Sequence, residues 1–205
     1  MIQSNETILD LLRHGEVTSK NRFCGSSDVA LTPHGQHQMS TTLKANHANW
    51  AQIISSPLIR CLDVAQAYSN EHDISLHTDA DIKEMDFGAW EGLSSKEVYE
   101  QAPEALEQFW QAPMKHSPPQ GEALAAFQSR VLKAFEHHIR QHVGSQLLFI
   151  THGGVIRVIL AHVLNMPMDA LLRLEVPYSA FSRVRIYHND DGSYHTSLIS
   201  HNAHQ

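Results

Sequence analysis

Cysteine is scarce: Cys24 and Cys61 are the only two in 205 residues. They are too few for a disulfide framework and lack metal-finger spacing. The fold must therefore rest on a hydrophobic core, and a reducing, cytoplasmic setting is expected. Long apolar runs are missing as well. The longest apolar-rich stretch, Val155–Leu164, is interrupted by Arg157 and His162 and is too short to cross a bilayer. The first ten residues show neither the basic segment nor the apolar core of a leader. Basic residues are the minority, 15 Lys and Arg against 22 Asp and Glu, for a formal net charge of −7. That balance argues against a nucleic-acid binder and against a polybasic membrane-surface protein. Disorder over long stretches is excluded by the 42% apolar content. The length fits a single domain over residues 1–205.

Histidine, by contrast, is abundant, with 16 copies. They are scattered rather than clustered. The one ligand-like pair is His138 and His142, at i and i+4 of an expected helix, where two imidazoles can share a face. No cysteine or carboxylate set accompanies them, so a polar outer helix face is the expectation, with no metal and no cofactor. Ser200–Gln205 reads as a frayed tail.

The rest of the chain alternates strands and helices. Thr7–Leu12 is an apolar run that reads as the first strand. Thr32 followed by Pro33 is a cap with proline at the first helical position, opening a helix through Met39 and Leu43 to about Asn46. Gln52–Ser55 reads as a second strand. Ser56 and Pro57 repeat the cap signal, for a helix to about Asn70. Ile74–Thr78 alternates as a short strand. Ser94 and Glu97 form a capping-box pattern. Pro103, Pro113, Pro118 and Pro119 then break regularity, which suggests a lid or insertion over about 93–121. From Glu122 to about His142, apolar residues recur at helical spacing, from Leu124 through Phe127, Val131 and Phe135 to Ile139. Gln146–Thr151 is nearly all apolar, as a central parallel strand should be. A helix over Val155–Leu164 follows. Ser182–His188 and Tyr194–Ile199 flank a turn at Asn189–Gly192, as a hairpin. The pattern predicts an α/β fold of three layers, with a mostly parallel central sheet and helices on both faces.

Open sheets of this kind bind ligands beyond the carboxyl ends of their strands. Beyond the first strand lie Arg13, His14, Gly15 and Glu16. Beyond the second lie Ser55, Ser56 and Pro57, with Arg60 close behind. Beyond the later apolar strand lie His152, Gly153 and Gly154. The stretch after Thr78 leads to Glu84 and Asp86. Two histidines, two arginines and a carboxylate thus converge on one sheet edge. Such a set suits phosphoryl transfer: a neutral imidazole is a nucleophile near pH 7, guanidinium forks pair with phosphate oxygens, and a carboxyl supplies the leaving-group proton.

These residues also carry a family resemblance. Leu12-Arg13-His14-Gly15-Glu16 resembles the Arg-His-Gly signature of the histidine phosphatase superfamily, which includes phosphoglycerate mutase. Ser55-Ser56-Pro57-Leu58 with Arg60, Glu84 followed by Phe87-Gly88 and Trp90-Glu91-Gly92, and Thr151-His152-Gly153-Gly154 resemble the family's later blocks, in the same order. Leu31-Thr32 with Gly35 and Gln38, and Gly121-Glu122 with Leu124, also fit. The resemblance spans about residues 8–165 and implies a phosphoglycerate mutase-like fold. It further implies roles: His14 as the phosphorylated nucleophile; Arg13, Arg60, His152 and Gly15 at the phosphate; Glu84 as the acid and then the base. The family's phosphate-contacting Asn would fall on Lys20 by spacing, with Asn21 one residue later in Asn21-Arg22-Phe23 and Gly25. Asn21 is taken as the contact, and Arg22 and Gly153 as further substrate-binding candidates. Cys24 is read as a small filler.

Members that act as mutases carry an insertion with an arginine pair. Here the segment from Leu93 to Gly121 has Lys96 and Lys115, no arginine, and Phe109 and Trp110. An aromatic, weakly charged lid suits a bulkier, less anionic leaving group. The reading is a metal-independent phosphomonoesterase of a small-molecule substrate. The alternatives are a mutase, a broad-specificity sugar-phosphate phosphatase and a phosphoprotein-binding module without catalysis.

Overall fold

A computed structural model describes residues 5–202; the last three residues of the expected tail, 203–205, lie outside them. Its centre is a six-stranded sheet in the order β3-β2-β4-β1-β5-β6. The strands are β1 (Glu6–Arg13), β2 (Gln52–Ser55), β3 (Leu76–Thr78), β4 (Gln146–Thr151), β5 (Phe181–His188) and β6 (Tyr194–His201). The first four run parallel, and β5 and β6 add an antiparallel edge hairpin. Six α-helices complete the layers: α1 (Pro33–Ala45), α2 (Ile59–His72), α3 (Ser95–Gln101), α4 (Pro103–Gln111), α5 (Leu124–Gln141) and α6 (Gly153–Val163). Among the described residues no helix is long and apolar enough to cross a membrane.

The near-continuous apolar character of β4 has a direct cause. Successive side chains point to opposite faces of a sheet, and both faces are covered. Leu147 and Phe149 join one core with Phe127, Val131 and Phe135 of α5 and Ile156 and Leu160 of α6. Leu148 and Ile150 join the other, with Met39 and Leu43 of α1 and Cys61 and Ala65 of α2. The same split divides Ile54 from Ile53 in β2 and Leu11 from Leu12 in β1. Asp10 interrupts the β1 run, yet it is fully buried. Its carboxylate accepts from Trp50 Nε1 at 2.7 Å, Gln146 Nε2 at 2.8 Å and Arg183 at 2.7 and 2.9 Å, which satisfies a charge that burial alone would expel.

The expected Thr32 cap is present: its side chain accepts from Gly35 N, with Pro33 opening α1. The capping box at Ser94 and Glu97 is complete. Four expectations need correction. The helix expected at Ser56 and Pro57 begins at Ile59, with Leu58 at the cap position, because Ser56 Oγ is engaged by Leu58 N and by His152. The proline-rich stretch is not irregular throughout: Pro103 is the first residue of α4, where a missing N–H costs nothing. Ser200 and His201 belong to β6 rather than to a tail. Finally, His138 does not lie on a polar outer face. It is 2% exposed and bonded through Nε2 to Asp79 Oδ2 at 2.8 Å, while His142 Nδ1 donates to the His138 carbonyl at 2.9 Å. Periodicity had counted His138 as polar, but a carboxylate beyond the edge strand gives it a buried partner.

Candidate active site

Strand register brings the two motif histidines together. β1 and β4 are parallel neighbours with Arg13 opposite Thr151, and His14 N extends the ladder to the Thr151 carbonyl at 2.9 Å. The next residues, His14 and His152, therefore stand side by side, with ring centroids 5.3 Å apart. On the other side of β4, Ser55 pairs with Ile150, which sets Ser56 beside His152.

His14 is 5% exposed. Its Nδ1 lies 2.8 Å from its neighbour's carbonyl, Gly15 O. A carbonyl only accepts, so Nδ1 carries the proton and Nε2 holds a free lone pair. Burial, then the charges of Arg13 and Arg60, hold the His14 pKa well below the ordinary histidine value; the Gly15 bond opposes them. His14 is thus neutral near pH 7. Gly15 is required by packing: an added Cβ would fall 2.1 Å from Gly35 O, and one on Gly35 would fall 2.1 Å from Glu16 O. The two glycines let the loop after β1 lie directly on the start of α1.

His152 is wholly buried. Arg60 Nε donates to its Nδ1 at 3.2 Å, so the ring proton sits on Nε2, 2.7 Å from Ser56 Oγ. Burial and then Arg60 hold its pKa well below normal. Arg60, itself fully buried, donates its other nitrogens to the carbonyls of Ser27, Cys24 and Gly25. Glu91 grips the same loop from the amide side, accepting from Gly25 N, Ser26 N and Ser27 N, and also from Phe87 N. Arg13 donates through Nη1 to the Val176 carbonyl and lies 4.4 Å over the Tyr178 ring. Its Nε is buried without a partner among the described residues. An unpaired buried guanidinium donor is costly, and an anionic oxygen is the group that satisfies it.

Glu84 is held by backbone. Its carboxylate accepts from Met85 N and, at 3.0 Å, from Gly154 N at the start of α6. A Cβ on Gly154 would come within 2.2 Å of Glu84 Oε1, so only glycine allows this approach. Arg130 of α5 fixes the segment from behind, donating to the carbonyls of Asp81, Lys83 and Glu84 and pairing with Glu122. Asp86 instead accepts from Gly88 N. Beside Glu84 opens a cavity of about 200 Å³, lined by Phe23, Phe87, Phe109, Trp110, Pro113, Phe127, Leu171, Gly154 and Arg157.

His14, Arg13, Arg60, His152, Glu84, Gly15 and Gly153 are therefore gathered at one sheet edge; a Cβ on Gly153 would lie 3.3 Å from Arg13 Nε. Two expected residues are not. Asn21 is exposed in a left-handed turn, φ 62°, and makes no side-chain hydrogen bond among the described residues. Arg22 is committed to the Gly92 carbonyl and to Glu97, so it ties the loop to α3. Lys20 pairs with Glu16. Cys24 Sγ contacts Ser19 Oγ. Cys61 touches the His152 ring, but burial pushes its thiol pKa up, which removes the thiolate a nucleophile needs. Sequence reasoning missed Arg157 and Arg130, and it placed Glu91 in the Trp90-Glu91-Gly92 block without giving it a role. A signal existed for Arg157, a lone charge in the apolar run of α6. Glu91 acts through backbone amides, and Arg130 acts largely through backbone carbonyls and leaves no pattern of its own.

Comparison with known proteins identifies the family. The family model for the histidine phosphatase superfamily (branch 1) matches residues 9–195. A bifunctional protein of Mycobacterium tuberculosis is 30% identical over 198 residues, which is 95% of this chain and 54% of that protein. The chain thus spans about half the length of these curated relatives. The adenosylcobalamin/alpha-ribazole phosphatase of Salmonella typhimurium is 27% identical over 180 residues, covering 86% of this chain and 89% of that one. Among solved structures, Bacillus stearothermophilus YhfR superposes with a TM-score of 0.82 at 29% identity, over 94% of this chain and 96% of its own.

Proposed function

The chain belongs to the histidine phosphatase superfamily, and we propose that it is a metal-independent phosphomonoesterase working through a phosphohistidine on His14. The observation that carries this reading is the His14 imidazole: buried, neutral, with Nδ1 fixed on Gly15 O and Nε2 free. In the first step Nε2 attacks phosphorus, the N–P bond forms and the bond to the leaving oxygen breaks, with Glu84 giving that oxygen its proton. In the second step Glu84 takes a proton from water, water attacks phosphorus, and inorganic phosphate leaves with His14 restored. Arg13 and Arg60 offset the charge on the phosphoryl oxygens, with the neutral His152 ring lining the same pocket, so the chemistry requires no cation. Gly153 keeps the space beside Arg13 Nε open. Asn21 and Arg22 stand outside this cradle.

The substrate class follows from the cavity beside Glu84. Its aromatic lining suits a bulky, largely apolar leaving alcohol, and one cation, Arg157, stands on its wall. The segment over 93–121 acts as a lid through Phe109, Trp110 and Pro113. α-Ribazole 5′-phosphate, a nucleoside-like monoester of the kind named for the Salmonella relative, is the substrate we assign, in a cobalamin-forming sequence in the cytoplasm; free Cys24 and Cys61 fit a reducing compartment. Rapid quench with labelled substrate should trap an acid-labile, base-stable phosphoenzyme. His14→Ala should abolish it and lower turnover by at least ~10³, about 4 kcal/mol of transition-state stabilisation. A fully active His14→Ala variant overturns the nucleophile assignment. Isomerisation of a phosphoglycerate without phosphate release would favour a mutase instead.

A further inference from the structure

One histidine cluster lies outside the catalytic set. His77 belongs to the edge strand β3, and Asp79 follows two residues later in extended backbone. Residues two apart on a strand share a face. His138 of α5 meets them there, and the ligating atoms of the three all lie within 4.8 Å of one another. We propose that His77, Asp79 and His138 form a binding site for a divalent ion of zinc type, separate from the active site.

Two imidazoles and one carboxylate are a donor set that zinc accepts, with a fourth position left for water. Metal–ligand bonds of about 2.0–2.2 Å put the ligand atoms of a tetrahedral site about 3.3 Å apart. Asp79 and His138 already sit at 2.8 Å, Oδ2 to Nε2. Both are fixed: Asp79 Oδ1 accepts from Asp81 N at 2.8 Å, and the His138 ring packs edge-on against Phe149 and is 2% exposed. His77 is exposed, its ring 5.5 Å from that of His138, and its side chain makes no hydrogen bond among the described residues. It is the ligand that swings in. The ion takes the place of the Nε2 proton that His138 gives to Asp79, and the neutral ring tautomerises, its single proton moving to Nδ1, a buried atom with no hydrogen-bond partner among the described residues.

The consequence is mechanical. Asp79 begins the segment that ends at Glu84, and Arg130 of α5 already holds its far part. A metal joining Asp79 to His138 would pin the near part to the same helix. The inference rests on this geometry alone and not on the phosphatase reading.

The test is titration of the EDTA-stripped full chain with Zn²⁺, read by calorimetry and by Tm, with Co²⁺ as a spectroscopic probe. One tight equivalent, a Tm that rises with Zn²⁺, and a Co²⁺ spectrum of low coordination number are expected. His77→Ala, an exposed change that spares the core, should weaken this site by more than ~10-fold, since even outer-shell partners cost that much. Asp79→Asn, which keeps the Oδ1 acceptor for Asp81 N, should do the same. His37→Ala, an exposed histidine on α1, should bind as the parent does. No stoichiometric site, or one that His77→Ala and Asp79→Asn leave unchanged, overturns the proposal.

Discussion

Glu84 shows how much a single side chain depends on backbone around it. Its carboxylate is aimed by Gly154 N, and the approach exists because residue 154 has no Cβ. If Glu84 protonates the leaving group, its loss must matter most where the leaving oxygen is most basic. Glu84→Gln should therefore damage hydrolysis of a sugar or nucleoside phosphate far more than that of p-nitrophenyl phosphate, whose phenolate departs with little help. Steady-state kcat/KM on both substrates checks this; equal loss on both would mean that Glu84 only shapes the site. His14, Glu84 and His152 were legible in the sequence because they stand in short blocks at strand ends. Arg130 was not, because its partners are mostly carbonyls distant in sequence, and Glu91 was legible only as a member of its block, because the amides it holds lie far off in the chain. Gly15 was legible as necessary, but for a different reason: its neighbour is the Gly35 backbone.

In the proposed reading, the segment formed by α3 and α4 would carry the substrate preference. Its composition, aromatic and without arginine, was visible beforehand, and the Ser94 capping box announced α3; α4 was not visible, since its proline read as a breaker rather than as a helix start. Trp110 lines the cavity yet remains 47% exposed, so the core does not rest on it. Trp110→Ala should raise KM for a bulky monoester by about tenfold, roughly 1.4 kcal/mol of lost contact, and leave small phosphomonoesters almost untouched. Kinetics on one substrate of each size separates this from a general loss of activity. Uniform damage across both would place the leaving group elsewhere.

Stability as a function of pH follows chiefly from the two buried imidazoles of the candidate site. His14 and His152 both have pKa values held well below the ordinary 6.5, chiefly by burial. Between 6.5 and those lower values the unfolded chain binds protons that the folded chain refuses, so stability rises with pH there. The stabilisation is fully present above about pH 6.5 and is lost as pH falls below it, by up to about 1.4 kcal/mol per pH unit for each histidine. Urea midpoints should be level from pH 8 to 7 and decline from pH 6.5 to 5.5. His14→Gln should make that decline shallower. A midpoint flat down to pH 5.5 would mean that both rings protonate freely in the folded state.

The strand order holds one more consequence. β1 and β2 come first in the chain, yet they never touch; β4 lies between them and is not complete until Thr151. When residue 140 has left the ribosome, most of the helices and three strands of this unit exist, but β1 and β2 still lack the neighbour that joins them. Each then presents a bare edge of the kind that invites pairing with other chains. The nascent protein is most vulnerable just before β4 emerges; the insertion of that strand joins β1 to β2 and sets His152 beside His14, and β5 then covers the other edge of β1.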